Sequence, residues 1–166
     1  MIEYSWQDLD YEIKSNLDAN LPVEFWWRND DTAYHVNKLK PLAALAKNEG
    51  VAVGISTVPK LLTECAKTYI LQITNANVLQ HGYNHTNHAT ESERKEELGA
   101  HRNTNEVLTE LLSGQDKLKL AFDKKLLPVL VPPWNKIETT IVNELPNLGY
   151  KGLSCFGSRT RTKNER

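Results

Sequence analysis

Three of the five histidines in this 166-residue chain, His81, His85 and His88, fall within the eight-residue stretch HGYNHTNH. Imidazole is the side chain that binds metals and exchanges protons near neutral pH, so a cluster of them raises the question of a metal or an acid–base centre. His81 and His85 are four positions apart, a spacing that puts both rings on one side of a helical turn. Two imidazoles and one carboxylate leave coordination positions open for water, as a catalytic metal requires. Carboxylates are available in Asn29-Asp30-Asp31. Adjacent side chains diverge, so one acid can hold a metal while the other accepts a proton. Each cluster also has a plainer reading: the acids as a capping turn for a helix starting near Ala33, the histidines as a polar loop. His88 suits a place behind the ligands or in the loop, and His35 and His101, on separate helical stretches, read as surface residues. In Pro132-Pro133-Trp134-Asn135 the prolines fix the backbone and Trp134 offers a flat apolar face. A loop of this kind can aim a backbone N–H at a developing oxyanion, and an indole suits the apolar side of a sugar ring. Alternatively, the indole is buried and plugs the end of a barrel.

The order of elements decides whether these clusters meet. Residues 22–28 (PVEFWWR), 51–57 (VAVGIST), 77–80, 126–131 (LLPVLV) and 152–156 read as five strands. Helical patterns lie between them, at 36–48 with Gly50 as the stop, from Pro59 to about Tyr69, at 91–112 and at 137–145. Strands alternating with helices imply crossover connections and a mainly parallel sheet. In such sheets and barrels, ligands bind at the carboxyl ends of the strands. The acids follow the first strand, the histidines the third and the Pro-Pro-Trp-Asn loop the fourth. One rim therefore receives all three.

Composition narrows the classes. With 40% apolar residues the chain can bury a core, and at 166 residues it is read as a single domain over 1–166. A net charge of -1 advertises no nucleic-acid partner, and the basic ending, residues 159–166, reads as a solvated tail. Cys65 and Cys155 lie far apart and form no CxxC pair, which predicts neither a disulfide framework nor a thiolate zinc site. The polar, acidic start MIEYSWQDLDYEIK is unlike a signal peptide, and no apolar run reaches the roughly 18 residues that span a bilayer. The expectation is a cytoplasmic protein without a membrane or nucleic-acid partner.

The acid pair after the first strand, H-x-x-x-H after the third and the Pro-aromatic loop after the fourth resemble the polysaccharide deacetylases, the NodB-homology enzymes of carbohydrate esterase family four. The resemblance runs from about Phe25 to Gly157. It implies an α/β fold, a partial or distorted (β/α) barrel with mainly parallel strands. It also implies a hydrolase that removes acetyl from an N-acetylated carbohydrate or related small amide. By position, Asp30 matches the catalytic base, and Asp31, His81 and His85 match the ligands of a divalent metal, commonly zinc, with cobalt or manganese as alternatives. Trp134 matches the residue whose backbone N–H helps hold the oxyanion. The metal would polarise the amide carbonyl and bring its water's pKa toward about 7, and Asp30 would take the proton.

The sequence departs from the family pattern at several places. Asn29 and Thr32 flank the acids where the family has Phe and Gly, and Gly82 replaces Ser or Thr. Val131 stands where an Arg orients the catalytic acid, with Arg28 a candidate substitute. No histidine follows His101 to serve as the family's late general acid. Five strands are also fewer than the family's barrel contains, and residues 158–166 are too polar for another buried strand. The expectation is a truncated form, or one completed by a partner, with an open sheet edge beside residues 152–156 that invites oligomerisation. Two other readings stay open: a degenerate member that binds metal or sugar without turnover, and a metal-free α/β binding domain.

Overall fold

The computed structural model describes residues 5–33 and 36–156. His35, Gly157 and the basic ending lie outside the described residues. Five strands form one sheet in the order β1-β2-β3-β4-β5. They are β1 (Arg28–Thr32), β2 (Val53–Thr57), β3 (Ala76–His81), β4 (Leu126–Val131) and β5 (Gly152–Leu153), and every neighbouring pair is parallel. The helices are α1 (Trp6–Asp18), α2 (Val36–Asn48), α3 (Glu64–Gln72), α4 (Thr104–Phe122) and α5 (Thr139–Glu144). This is the expected α/β architecture, an open sheet consistent with part of a barrel.

Alternation along the strands separates two faces. In β2 and β3, Val53, Ile55, Ala76 and Val78 pack with Leu39 and Ala46 of α2, Ile70 of α3, and Leu118 and Phe122 of α4. A second cluster joins Leu130 of β4 to Val107 and Leu111 of α4 and Ile141 of α5, together with Leu98, Leu145 and Tyr150. α2 forms because Leu39, Leu42, Ala43 and Ala46 recur at helical spacing. It ends at Gly50, whose φ of 65° is the left-handed conformation glycine adopts without cost. In α4 the buried stripe is Val107, Leu111, Gly114, Leu118 and Phe122.

Gly114 lets α4 close on the sheet. A Cβ there would lie 2.5 Å from Gln80 Nε2 and 2.9 Å from Pro59 Cγ. Gln80 Nε2 is committed to the Leu111 carbonyl and its Oε1 accepts from Tyr150, so the amide has no room to yield. Gly114→Ala should therefore destabilise the protein. Overpacking costs about 1–3 kcal/mol, which exceeds the gain of roughly 1 kcal/mol in helix propensity. A urea midpoint no lower than that of the wild type would contradict this packing account.

Two sequence expectations need correction. The first strand does not occupy residues 22–28. It begins at Arg28 and carries the polar run Arg-Asn-Asp-Asp-Thr, because pairing with β2 sets the ladder, while Phe25 and Trp26 are left exposed. The helix expected at 91–112 starts instead at Thr104, where Asn103 caps it by accepting from the Asn105 amide. Residues 91–103 are irregular, because Glu96 and Glu97 are buried and used in specific contacts, which removes them from any solvated helix face. The acidic N-terminal stretch forms α1, opened by a capping box between Ser5 and Asp8, and no residue of this helix is buried. Cys65 and Cys155 are both free and exposed.

Candidate metal centre

At the carboxyl end of β1 the register with β2 slips by one residue between Asn29 and Thr32. Asp31 lies inside this bulge in the left-handed region, with φ 62°. A bulge re-aims the side chains it contains, and the two acids turn different ways. Asp30 meets Arg28: Asp30 Oδ2 accepts from a terminal guanidinium nitrogen at 2.8 Å, and Oδ1 lies 2.8 Å from Nε. Oδ1 lies off the N–H direction, so this second contact is ionic and the buried oxygen keeps its lone pairs unused. The acids belong to the strand and its bulge, one position earlier in the architecture than the expected turn after it.

Asp31 meets the histidines. Its Oδ1 lies 2.9 Å from His81 Nε2 and 3.0 Å from His85 Nε2. His81 is the last residue of β3 and 2% exposed. Its Nδ1 lies 2.9 Å from the Val131 carbonyl of the neighbouring strand. A carbonyl only accepts, so Nδ1 carries a proton, and Nε2 faces the Asp31 carboxylate either as a hydrogen-bond donor or, without its proton, across a bound cation. Acceptors facing one another repel unless a proton or a cation lies between them. The ligand atoms of Asp31, His81 and His85 all lie within 4.8 Å of one another, the one group of three such side chains among the described residues. Nitrogen and carboxylate donors at this spacing could hold a metal ion. The hydrogen bond with His81 holds the Asp31 carboxyl below the usual carboxylate range, against the opposing effect of partial burial.

The two histidines do not share a helical turn. Gly82 has φ 53° and His85 φ 57°, so the chain folds back irregularly after β3. A Cβ on Gly82 would sit 2.3 Å from Glu97 Oε2 and 2.7 Å from Pro133 Cγ, which explains glycine at this position of the motif. The expectation that a helical turn aligns the two rings is therefore overturned: the irregular fold-back after β3 brings both to Asp31. His88 stays outside the group. Its amide donates to the Glu96 carbonyl and its Nε2 is buried without a hydrogen-bond partner. His101 is a surface residue paired with Glu93 at 2.8 Å.

After β4, residues Pro133–Asn135 make one 3-10 turn in which Trp134 and Asn135 both have φ 54°. The indole is half-buried and packs on the His85 ring at a centroid distance of 4.3 Å, so it flanks the centre and does not plug a barrel. The residue sequence reasoning underrated is Arg28. Besides Asp30, its guanidinium donates to Asn135 Oδ1 at 3.0 Å and to the carbonyl and hydroxyl of Ser154 at 2.8 and 2.7 Å. Four acceptors from the ends of three strands hold it. A charged residue two positions before a candidate base was the available signal.

No protein-family model matches the chain, and no curated protein does. Solved structures do match. A pseudoenzyme of carbohydrate esterase family four (CE4) from Bacillus anthracis, BA3943, aligns over 78% of this chain at 15% identity with a TM-score of 0.61. The Streptococcus pyogenes deacetylase PplD, solved with acetate, aligns over 85% at 16% identity and the same TM-score of 0.61. The peptidoglycan N-acetylglucosamine deacetylase Bc1960, solved with a hydroxamate-bearing naphthyl benzamide, aligns over 76% at 12% identity with a TM-score of 0.55. The chain spans 42%, 61% and 53% of those three chains, about half their length. Its fold is that of the CE4 deacetylases. Among the described residues, no helix is long and apolar enough to cross a membrane.

Proposed function

We propose that this chain is a polysaccharide deacetylase-type domain that binds a divalent metal, zinc first among the candidates, and hydrolyses the N-acetyl group of a carbohydrate or related amide. Residues 1–166 form a single unit in this reading. The observation that carries it is the convergence of Asp31, His81 and His85 beside an arginine-held Asp30, at the strand ends of a deacetylase fold. A metal bound there would polarise the amide carbonyl and acidify a water.

The protein's own residues then have separate tasks. The Val131 carbonyl fixes the His81 tautomer, so that Nε2 points at the metal position. Asp30 is the base. Arg28 orients it, and the free Oδ1 lone pairs of Asp30 accept the water proton. The Trp134 ring walls the His85 side, and its turn supplies the backbone N–H for the oxyanion. Water oxygen bonds to the carbonyl carbon, the C–N bond breaks, and acetate and an amine leave, the amine taking up the proton. Arg28 in β1 takes over the orienting task that the family gives to the position of Val131.

A second reading, binding without turnover, is favoured by Val131, which stands where the family has the Arg that orients its catalytic acid. The fold accommodates it, since BA3943 is described as a pseudoenzyme. Acetate release from N-acetylchitooligosaccharides, measured with zinc- or cobalt-loaded protein and again after chelation, decides between the two. Metal-dependent release is the expected result. Stoichiometric metal uptake with no acetate would establish the binding-only reading.

A further inference from the structure

We propose that Glu97 is a positioning residue for His85, acting through the backbone of residues 83–85; the proposal rests on the reading of Asp31, His81 and His85 as metal ligands. Glu97 is wholly buried. Its Oε1 accepts from the amides of Tyr83 and Asn84 at 2.8 and 2.9 Å, and its Oε2 from the amide of His85 at 3.0 Å. Among the described residues it makes no ion pair, so these three N–H groups alone compensate a carboxylate that is costly to bury.

Three consecutive amides aimed at one carboxylate fix a backbone. Here they fix the segment in which His85 takes its left-handed φ of 57°, a conformation that costs a residue with a Cβ roughly 1–2 kcal/mol. Gly82 makes room, because any side chain there would strike the Glu97 carboxylate. The position of Glu97 is itself anchored. Its neighbour Leu98 bridges Ile137 and accepts from the Glu138 amide at 2.8 Å, while Glu96 pairs with Lys136. The carboxylate therefore ties the loop of His85 to the segment that follows the Trp134 turn.

His81 needs none of this, since the β3 ladder and Val131 hold it. His85 depends on it, because no strand or helix contains residue 85. The residue works behind the ligand and touches neither metal nor substrate.

Zinc titration of the wild type and of Glu97→Gln, read by calorimetry, tests the proposal together with amide hydrogen exchange on the metal-free wild type. The glutamine amide would turn a donor toward backbone donors. Zinc affinity is expected to fall about 10- to 100-fold, the usual effect of losing a residue that supports a ligand. In the wild type the amides of residues 83–85 are expected to exchange as slowly as those of β3. Equal zinc affinity in Glu97→Gln and wild type would overturn the proposal, as would rapid exchange at residues 83–85. The exchange result stands even if the variant fails to fold. A wild type that takes up no zinc but protects residues 83–85 would refute the ligand reading and, with it, any role for Glu97 toward a metal.

Discussion

Alanine at His81 or at His85 is expected to abolish stoichiometric zinc or cobalt uptake. Either change leaves one imidazole and the Asp31 carboxylate, two donors where the site assembles three. The variants should differ in the metal-free protein. His81 is buried, with its ring bonded to the Val131 carbonyl, so His81→Ala leaves a cavity, loses that hydrogen bond and should lower the melting temperature. The His85 side chain is 23% exposed and packs mainly on Trp134 and His81, so His85→Ala should melt close to the wild type. Protons compete for the same lone pairs, so wild-type uptake should weaken as the pH falls. Elemental analysis after dialysis reads all of this. Undiminished metal in both variants would remove the ligand assignment.

The neighbouring acids should separate cleanly. Asp30→Asn is expected to keep its metal and lose hydrolysis by on the order of 10²–10⁴, the usual contribution of a positioned base. Asparagine still accepts from Arg28, so the fold around it should persist, but it cannot take a proton. Asp31→Asn should do the reverse and weaken the metal itself, because the charge facing two imidazole nitrogens is gone. Measuring uptake and acetate release on the same preparations makes the contrast internal. Normal turnover by Asp30→Asn would place the base elsewhere.

Much of this was legible from residue types. The apolar runs gave β4 with its observed bounds, and the helical spacing with Gly50 gave α2. The clustered histidines and the pair of acids marked a candidate metal site, the family resemblance singled out Asp31, His81 and His85 in it, and the structure brings those three side chains together. What escaped the sequence depends on contacts distant in the chain. Arg28-Asn-Asp-Asp-Thr32 looks like a turn because its strand character comes from pairing with β2, and the bulge that parts the two acids is a register slip no local pattern records. Glu96 and Glu97 looked like the charged face of a helix. Their burial is decided by loop amides at residues 83–85 and by Lys136, which composition does not link to them. Helix α1 was missed for a related reason, since a segment that buries nothing has little apolar periodicity to show.

The reach of Arg28 has a thermodynamic consequence. β1 and β5 stand at opposite ends of the sheet order, yet the guanidinium of Arg28 spans from Asp30 to Ser154, just past β5. β5 is only two residues long and pairs with β4 at Gly152 and Leu153. So short an edge is the kind of unit that opens locally at low free energy. Each opening takes two of Arg28's acceptors away and leaves the arginine less constrained over Asp30. Local unfolding at one end of the sheet and the orientation of an acid at the other are thereby a single linked equilibrium. Whatever secures β5, whether a ligand at the rim or a neighbouring chain along the edge, sharpens the acid from a distance, and by reciprocity whatever binds at the acid makes that last strand harder to melt.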